Sequence, residues 1–543
     1  MAKGYLALVL HGHLPFVRHP EHEDFLEENW LYQAITEVYV PLLLMFDSLV
    51  ADAVDFRLTF SLTPTLVSML TDPLLQSRFL RRLDRLIELL EMEASRTKWQ
   101  PEFHALAAMY HQQFTRVRSA FVDRYNCNLV EAFRRLQDLG KLEIIASAAT
   151  HGYLPLLSAN PSAVRSQIQV GTAHYALTFG RMPNGFWLPE CGYYPGLDQL
   201  LSDQAIRFTI LETHGITRAR PRPRYGVHSP LRCRSGLAVF GRDPLSSRQV
   251  WSATEGYPGD CDYREFYRDL VHDLDSDSLK RYVHPGGLRI ETGVKYCRIT
   301  GKTENKQIYV PQQAERKAEM HAAHFLRSRA EQVEALASVM DRKPILVAPY
   351  DAELFGHWWY EGPLWLNHLI RKVARDPNSL RLVTLSEYLR DCSSLQPAQP
   401  PMSSWGHNGF NEVWLNPDNH WIYPRLRRAA RVMEKLEADR SGSDPLTIRA
   451  LDQAKRELLL AQSSDWAFMI SAQTTAEYAS NRTESHLQDF DRLSDQIARR
   501  DIDEGWLAEI ESRDCIFPAQ LLRSASAAHL PPSRSAGHMH RVS

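Results

Sequence analysis

The sequence offers little cysteine chemistry. Its seven cysteines are scattered between positions 127 and 515, and none belongs to a Cys-x-x-Cys pair. Disulfide frameworks and thiolate zinc sites need paired or clustered cysteines, so this pattern disfavours both. Scattered thiols predict a protein of the reducing cytoplasm.

Long apolar runs and an excess of one charge are also lacking. No uninterrupted apolar stretch reaches the roughly 18 residues that identify a membrane-spanning helix. Lys and Arg number 63 against 65 Asp and Glu, which leaves a net charge of -2 and no basic field to attract nucleic acid or an anionic membrane. We therefore expect no nucleic-acid partner, no membrane partner and a neutral substrate.

Strand-like and helical segments alternate over most of the 543 residues. The predicted strands are Tyr5 to Leu10, Phe56 to Ser61, Leu142 to Ser147, Gly185 to Pro189, Arg207 to Leu211, Leu288 to Thr292, Ile345 to Ala348 and Arg381 to Thr384. Such alternation is typical of a mostly parallel sheet covered by helices. Seven or eight strands favour a closed α/β barrel, with an open doubly wound sheet as the alternative.

Composition also predicts the boundaries of the domains. We expect a catalytic barrel over 1–395 with an insertion around 191–250, a linker over 396–404, a helical C-terminal domain over 405–520 and a disordered tail over 521–543. The linker is rich in Pro and polar residues, and the helical domain has long amphipathic periods. An Arg- and Pro-rich loop runs from Arg218 to Tyr225, and it is either a lid over the site, with Tyr225 as the lid residue, or a surface insertion.

Two segments place carboxylates among aromatic residues directly after predicted strands. They are Gly185 to Tyr194, which contains Glu190, and Asp351 to Trp359. Aromatic faces suit the apolar face of a sugar ring, and carboxylates suit its hydroxyls. Retaining glycosidic chemistry needs two carboxyl groups about 5 to 5.5 Å apart, and Glu190 and Asp351 are the candidates. Glu353 competes with Asp351, because both side chains leave an extended segment on the same side.

Histidines and tryptophans supply the other candidate contacts. His11 and His13 end the first strand, and with His151 we expect them to contact sugar hydroxyls. A pair at this spacing could also bind zinc, but the sequence reveals no third ligand. Trp30, Trp358 and Trp405 lie in predicted loops, where they serve either packing or sugar stacking. Asp465, after a helical segment, either caps a helix or contacts substrate.

These residues resemble the motifs of the family-57 glycoside hydrolases, in particular the 1,4-alpha-glucan branching enzyme subgroup. The resemblance runs from residue 1 to about 520. Its main segments are His11 to Pro15, His151 to Pro155, Gly185 to Glu190, Asp351 to Trp359, Leu385 to Leu389, Trp405-Gly406 and Gln462 to Trp466.

The resemblance implies an incomplete (β/α)7 barrel with an inserted segment and an all-helical C-terminal domain. It assigns Glu190 as nucleophile and Asp351 as general acid/base, which decides against Glu353. It adds Trp405, Asp465, Arg264 and Gly287 as substrate contacts, requires no metal or cofactor, and implies an alpha-1,4-glucan substrate. An alpha-amylase or 4-alpha-glucanotransferase on the same scaffold, a zinc-dependent carbohydrate deacetylase and a catalytically silent glucan-binding protein are the alternatives.

Overall fold

The computed structural model describes residues 2–252, 255–392, 394–440 and 442–527. The strands in these ranges are β1 Gly4–Gly12, β2 Leu58–Leu62, β3 Leu142–Ser147, β4 Gly185–Trp187, β5 Phe208–Leu211, β6 Leu231–Arg232, β7 Ala238–Gly241, β8 Ile345–Asp351, β9 Leu380–Leu382 and β10 Gln396–Pro397.

The α-helices of the N-terminal part are α1 Asn29–Ala34, α2 Val40–Ala51, α3 Pro64–Leu70, α4 Pro73–Arg96, α5 Pro101–Ser119, α6 Leu129–Asp138, α7 Leu154–Leu157, α8 Pro161–Phe179, α9 Leu197–Ser202, α10 Thr213–Thr217, α11 Pro244–Trp251, α12 Ser276–Ser278, α13 Pro311–Ala337, α14 Gly362–Arg375 and α15 Leu385–Asp391. The C-terminal part contains α16 Ile422–Ala438, α17 Pro445–Ala461, α18 Ser464–Ala472, α19 Ala476–Arg499, α20 Glu504–Arg513 and α21 Ala519–Ala527.

Seven parallel strands curl into a barrel. Their order is β7-β5-β4-β3-β2-β1-β8. A single bridge between Arg242, which follows β7, and Val347 of β8 joins the two ends of this order. Every residue of β1 is buried, as expected where helices cover one face of a parallel sheet and side chains fill the other. The incomplete (β/α)7 barrel with a helical C-terminal region is therefore confirmed.

One of the barrel strands lies where the sequence pattern did not predict it. The strand predicted at Leu288 to Thr292 is irregular backbone, and β7 takes the vacant place in the barrel. Both β5 and β7 lie inside 191–250, so this range is part of the barrel rather than an insertion. The strand β7 has only four residues and follows a Pro- and Arg-rich loop, so the sequence pattern did not indicate a strand there.

The expected linker is held firmly against the barrel. β10 pairs with β6, and Tyr193 and Ser403 exchange backbone hydrogen bonds of 2.8 and 3.1 Å. Proline limits helix and central-strand pairing, but it does not prevent an edge strand, which is why composition alone suggested a free linker. The segment 396–404 therefore fixes the position of Trp405.

The disordered tail expected over 521–543 does not begin at 521. Residues up to 527 continue α21, where Leu522 is fully buried and its carbonyl accepts a hydrogen bond of 3.1 Å from Lys455 Nζ. Isolated apolar residues in a Ser- and Ala-rich stretch gave too weak a period to reveal this packing. Residues 528–543 lie outside the described part of the chain.

One helical run in the described residues has the length and composition of a membrane span. It covers Leu26–Ala51, 26 residues whose most apolar 18-residue window has a mean hydropathy of 1.6 and is 67% buried inside the protein. Buried core helices of globular proteins have the same composition. Here α2 packs against α14 and α6.

Candidate active site

The carboxyl ends of the barrel strands open into a cavity of about 680 Å³. Strand register fixes its floor, because His11 of β1 lies beside Ser61 of β2 and Asp351 of β8. The residues that line the cavity are His11, His13, Leu14, Trp30, Gln33, Ala34, His151, Glu190, Arg242, Trp251, Asp351, Glu353, Leu354, His357, Trp358, Trp405, Asp465 and Phe468. Nine of the residues predicted from sequence are therefore brought together around one cavity.

Glu190 stands on a strained turn after β4. Its backbone has φ 60° and ψ 23°, the left-handed region that non-glycine residues adopt at a cost. The turn aims its carboxylate at two donors, the indole Nε1 of Trp405 at 2.8 Å and the hydroxyl of Ser464 at 3.0 Å. Burial raises the pKa of Glu190, and these two hydrogen bonds oppose the rise by stabilising the charged form.

Asp351 at the end of β8 has the opposite environment. No hydrogen-bond donor from the described residues reaches its carboxyl group. Burial raises the pKa of Asp351 well above its usual value, and the negative charges of Glu353 and Glu190 add to the rise. Arg242, which works against it, is engaged with Glu212 at 2.8 Å. A carboxyl group in such surroundings retains its proton to unusually high pH.

Glu353 lines the same cavity but is anchored. Its Oε1 accepts hydrogen bonds from the hydroxyl of Tyr39 and, at 3.2 Å, from the backbone N–H of His13. Burial raises the pKa of Glu353 while these bonds oppose the rise. The two acids left open by the strand period are thus distinguished by their partners, since Asp351 is without a donor in the described structure and Glu353 has two.

Three histidines stack at one side of the cavity. The rings of His13 and His151 lie 3.8 Å apart between centroids, and His11 stacks on Trp187 at 4.5 Å. His13 Nε2 contacts both carboxylate oxygens of Asp465, at 3.0 and 3.1 Å. Burial alone would lower the pKa of His13, but the charge of Asp465, followed by those of Glu190 and Glu353, raises it. Burial lowers the pKa of His11 and of His151 well below the usual value.

The structure brings a third possible metal ligand, Asp465, close to His13 and His151, although the sequence pattern did not reveal one. Donor atoms of His13, His151 and Asp465 lie within 4.8 Å of one another. Hydrogen bonds already engage these side chains, since His13 Nε2 contacts Asp465 and His151 Nδ1 contacts the Ser464 hydroxyl at 2.9 Å. Zinc would have to replace these hydrogen bonds.

Three predicted residues lie away from the cavity, namely Arg264, Gly287 and Tyr225. Arg264 is 5% exposed, stacks on Tyr360 at 4.0 Å and donates to the carbonyl of Gly293 at 3.1 Å. Gly287 lies on an outer turn at φ 72° whose nearest contacts are atoms of Lys280. Neither belongs to the wall of the cavity, so direct substrate contact is not supported for them.

Tyr225 lies at the wrong end of the barrel for a lid. It lines a separate surface cleft between the guanidinium groups of Arg224 and Arg342. Its neighbour His228 accepts a backbone hydrogen bond from Ile345, the first residue of β8, whereas Asp351 is the last. Six residues of extended strand span about 20 Å, so the lid hypothesis is wrong.

The sequence reasoning missed Arg242, Ser464 and Phe468 as site residues. Arg242 stacks over Trp405 at 5.7 Å and follows β7, the strand that the pattern did not reveal. Ser464 and Phe468 belong to the first turns of α18, beside the predicted Asp465. A helical period starting at Ser463, a good N-cap residue, would have placed them on the same helix end.

Known proteins resemble this chain in sequence and in architecture. Residues 7–336 match the model of Glycosyl hydrolase family 57, and residues 425–523 match that of 1,4-alpha-glucan branching enzyme, C-terminal. A 1,4-alpha-glucan branching enzyme of Thermococcus kodakarensis is 34% identical over 95% of this chain and 77% of its own length.

Solved structures agree with this relationship. The alpha-amylase AmyC from Thermotoga maritima has a TM-score of 0.89 at 43% identity, covering 96% of this chain and 99% of its own. A GH57-type branching enzyme from Pyrococcus horikoshii has a TM-score of 0.86 at 33% identity, covering 96% and 97%. Because the family model spans more than half of the chain, the protein belongs to Glycosyl hydrolase family 57.

Proposed function

We propose that this protein is a 1,4-alpha-glucan branching enzyme. It would cleave an alpha-1,4 bond of a glucan and transfer the released segment to a 6-hydroxyl, forming an alpha-1,6 branch. The observation that carries the proposal is where the branching-enzyme C-terminal match meets the barrel. Ser464 and Asp465, inside the matched range, contact Glu190 and His13 directly. The region that resembles branching enzymes is therefore part of the cavity wall.

Glu190 is the proposed nucleophile. Two donors on its carboxylate favour the charged form, which must attack the anomeric carbon of the donor glucan. The attack forms a glycosyl ester on Glu190 and breaks the bond to the departing O4. The left-handed backbone at Glu190 directs the carboxylate to its two donors, and their hydrogen bonds hold it there.

Asp351 is the proposed general acid/base. Burial and the neighbouring negative charges raise the pKa of Asp351 and so favour its protonated form, which can give a proton to the departing oxygen. As a carboxylate, Asp351 then removes the proton from the 6-hydroxyl of the acceptor, which attacks the ester and regenerates Glu190. Two carboxyl groups with contrasting environments at one cavity are what the double displacement requires.

The aromatic rim offers places for the sugar rings. Trp358 is 62% exposed and Phe468 is 46% exposed, although both line the cavity. Exposed rings on one rim suit a glucan chain, which presents apolar faces repeatedly. A chain held on such a rim competes with water for the ester, so the rim favours transfer over hydrolysis.

An alpha-amylase is the second candidate, favoured by the 43% identity to an alpha-amylase over nearly the whole chain. Incubation with amylose separates the two activities. Branching creates new linkages that an isoamylase can cleave, without a matching rise in reducing ends. Reducing ends that rise with no debranchable linkages would overturn the branching proposal in favour of hydrolysis.

The donor atoms of His13, His151 and Asp465 justify one further control, because zinc-dependent deacetylases use such ligands. We expect purified protein to retain branching activity after dialysis against a chelator. Stoichiometric zinc whose removal abolishes turnover would instead favour metal chemistry. Zinc content and activity are measured on the same samples.

A further inference from the structure

A chain of hydrogen bonds leads from the barrel to Glu190 through the C-terminal region. Ser61 Oγ lies 3.1 Å from His11 Nδ1, and His11 Nε2 lies 3.1 Å from His151 Nε2. His151 Nδ1 lies 2.9 Å from Ser464 Oγ, and that hydroxyl donates to Glu190 Oε1 at 3.0 Å. Ser61 and Ser464 are fully or almost fully buried.

The direction of every hydrogen bond in this chain follows from its last member. Because the single proton of Ser464 goes to the carboxylate, the hydroxyl must accept from His151 Nδ1. His151 Nε2 then carries no proton and accepts from His11 Nε2, which leaves His11 Nδ1 to accept from Ser61.

This arrangement requires both imidazoles to be neutral. A second proton on His151 would lie on Nε2 and face the N–H of His11 across the 3.1 Å contact. A second proton on His11 would lie on Nδ1 and reverse the hydrogen bond with Ser61. Burial, with the charge of His13 as a further cause, lowers the pKa of His11 and of His151 well below the usual value, in agreement with this requirement.

We propose that Ser464 is a positioning residue for the nucleophile, and that Ser61, His11 and His151 fix the direction of its hydroxyl. The inference rests on the proposed role of Glu190. Ser464 contacts Glu190 and His151, and it acts on the sugar only through them. The C-terminal region thereby completes the nucleophile of the barrel, beyond any contact that it makes with substrate.

The first test is Ser464→Ala. Loss of one hydrogen bond to a charged group should lower kcat on amylose on the order of 10- to 100-fold, with little change in KM. The acid limb of the pH profile should move to higher pH, because Glu190 loses a donor that stabilises its charge. His13, Asp351 and Asp465, which face Glu190 electrostatically, are unchanged in this variant.

Ser494→Ala is the matched control. Ser494 is a buried serine of α19 whose hydroxyl donates within its own helix at 2.8 Å. Its loss should affect stability alone and leave the pH profile in place. Ser464→Cys, nearly the same size with a weaker donor, should give a smaller effect in the same direction if Ser464→Ala folds poorly.

Ser61→Ala tests the series of hydrogen bonds that leads to Ser464 rather than the contact between Ser464 and Glu190. With the hydroxyl of Ser464 less firmly directed, kcat should fall about 2- to 5-fold, well below the effect of losing a charged hydrogen bond. The Ser61→Ala/Ser464→Ala double variant should match Ser464→Ala alone, because the first change then has nothing to direct.

The outcomes separate this inference from the proposed function. Wild-type kcat and an unmoved acid limb in Ser464→Ala would overturn the inference, as would full additivity in the double variant. Glu190→Gln is measured in the same series. Full turnover by Glu190→Gln would overturn the proposed role of Glu190 itself, whereas an inactive Glu190→Gln beside a normal Ser464→Ala would refute the inference alone.

Discussion

Replacement of Trp405 by Phe isolates one hydrogen bond at the proposed nucleophile. The change keeps an aromatic ring beside Trp187 and removes the Nε1–H that lies 2.8 Å from Glu190 Oε2. A hydrogen bond to a charged group contributes about 1.5–3 kcal/mol. At about 1.36 kcal/mol for each tenfold change in rate, kcat should fall roughly 10- to 150-fold.

The same change should move the pH profile in a defined direction. Trp405 is the strongest influence holding down the pKa of Glu190 against burial, so its loss raises that pKa. A smaller fraction of Glu190 is then ionised on the acid side, and the acid limb of kcat moves to higher pH. The assay is branching rate on amylose from pH 4 to 9, with KM measured at each pH.

Trp365→Phe controls for the lost volume. Trp365 is fully buried, packs against Phe325, and its Nε1 has no hydrogen-bond partner in the described structure. It should lower thermal stability by a similar amount without moving the acid limb. If Trp405→Phe kept kcat within twofold of the parent and left the limb in place, the hydrogen bond would have no part in activating Glu190.

Three further predictions follow from the same contacts. Asp351→Asn should lower kcat about 10²- to 10⁴-fold. The same change should raise the melting temperature at pH 8, because a carboxyl group whose pKa is raised in the folded state loses its stabilising contribution as pH rises. The rise in melting temperature should vanish near pH 3, and calorimetry that shows no rise at pH 8 would contradict the prediction. Asp465→Asn should lower the free energy of unfolding by about 1–3 kcal/mol at pH 6 and by less at pH 9, since the raised pKa of His13 adds stability only while His13 is protonated. Denaturant titrations at the two pH values measure this loss, and equal losses would count against the ion pair. Tyr225→Ala should leave the ratio of transfer to hydrolysis unchanged because Tyr225 lies in a distant cleft, and a changed ratio of branch points to reducing ends would restore the lid hypothesis.

The sequence was most informative where local pattern and burial coincide. The buried strand Leu142–Ser147 has the bounds predicted for it, because a short apolar run covered on both faces has few alternatives. The segment at Leu288 to Thr292 has the same kind of composition but forms no strand. Its place in the barrel is taken by β7, because pairing with the neighbouring strands, rather than local composition, determines which segment joins the sheet.

The site was predictable as a set of residues and less so as a geometry. Placing functional residues at strand ends correctly gathered Glu190, Asp351 and the histidines, because parallel strands end at one edge. The contact between Ser464 and Glu190 joins residues 274 positions apart, and no local period carries that information. The preference for Asp351 over Glu353 likewise depends on Tyr39, whose hydroxyl holds Glu353 from a different helix segment.

The identity of the carboxylate that carries the sugar tests the account most directly. A slow fluorinated glucosyl fluoride, added in excess, should accumulate as a covalent ester that mass spectrometry detects on the intact protein. Peptide mapping should then locate the added mass on Glu190. A label on Asp351 or Glu353 instead, or turnover that continues with no labelled protein, would contradict the proposed double displacement.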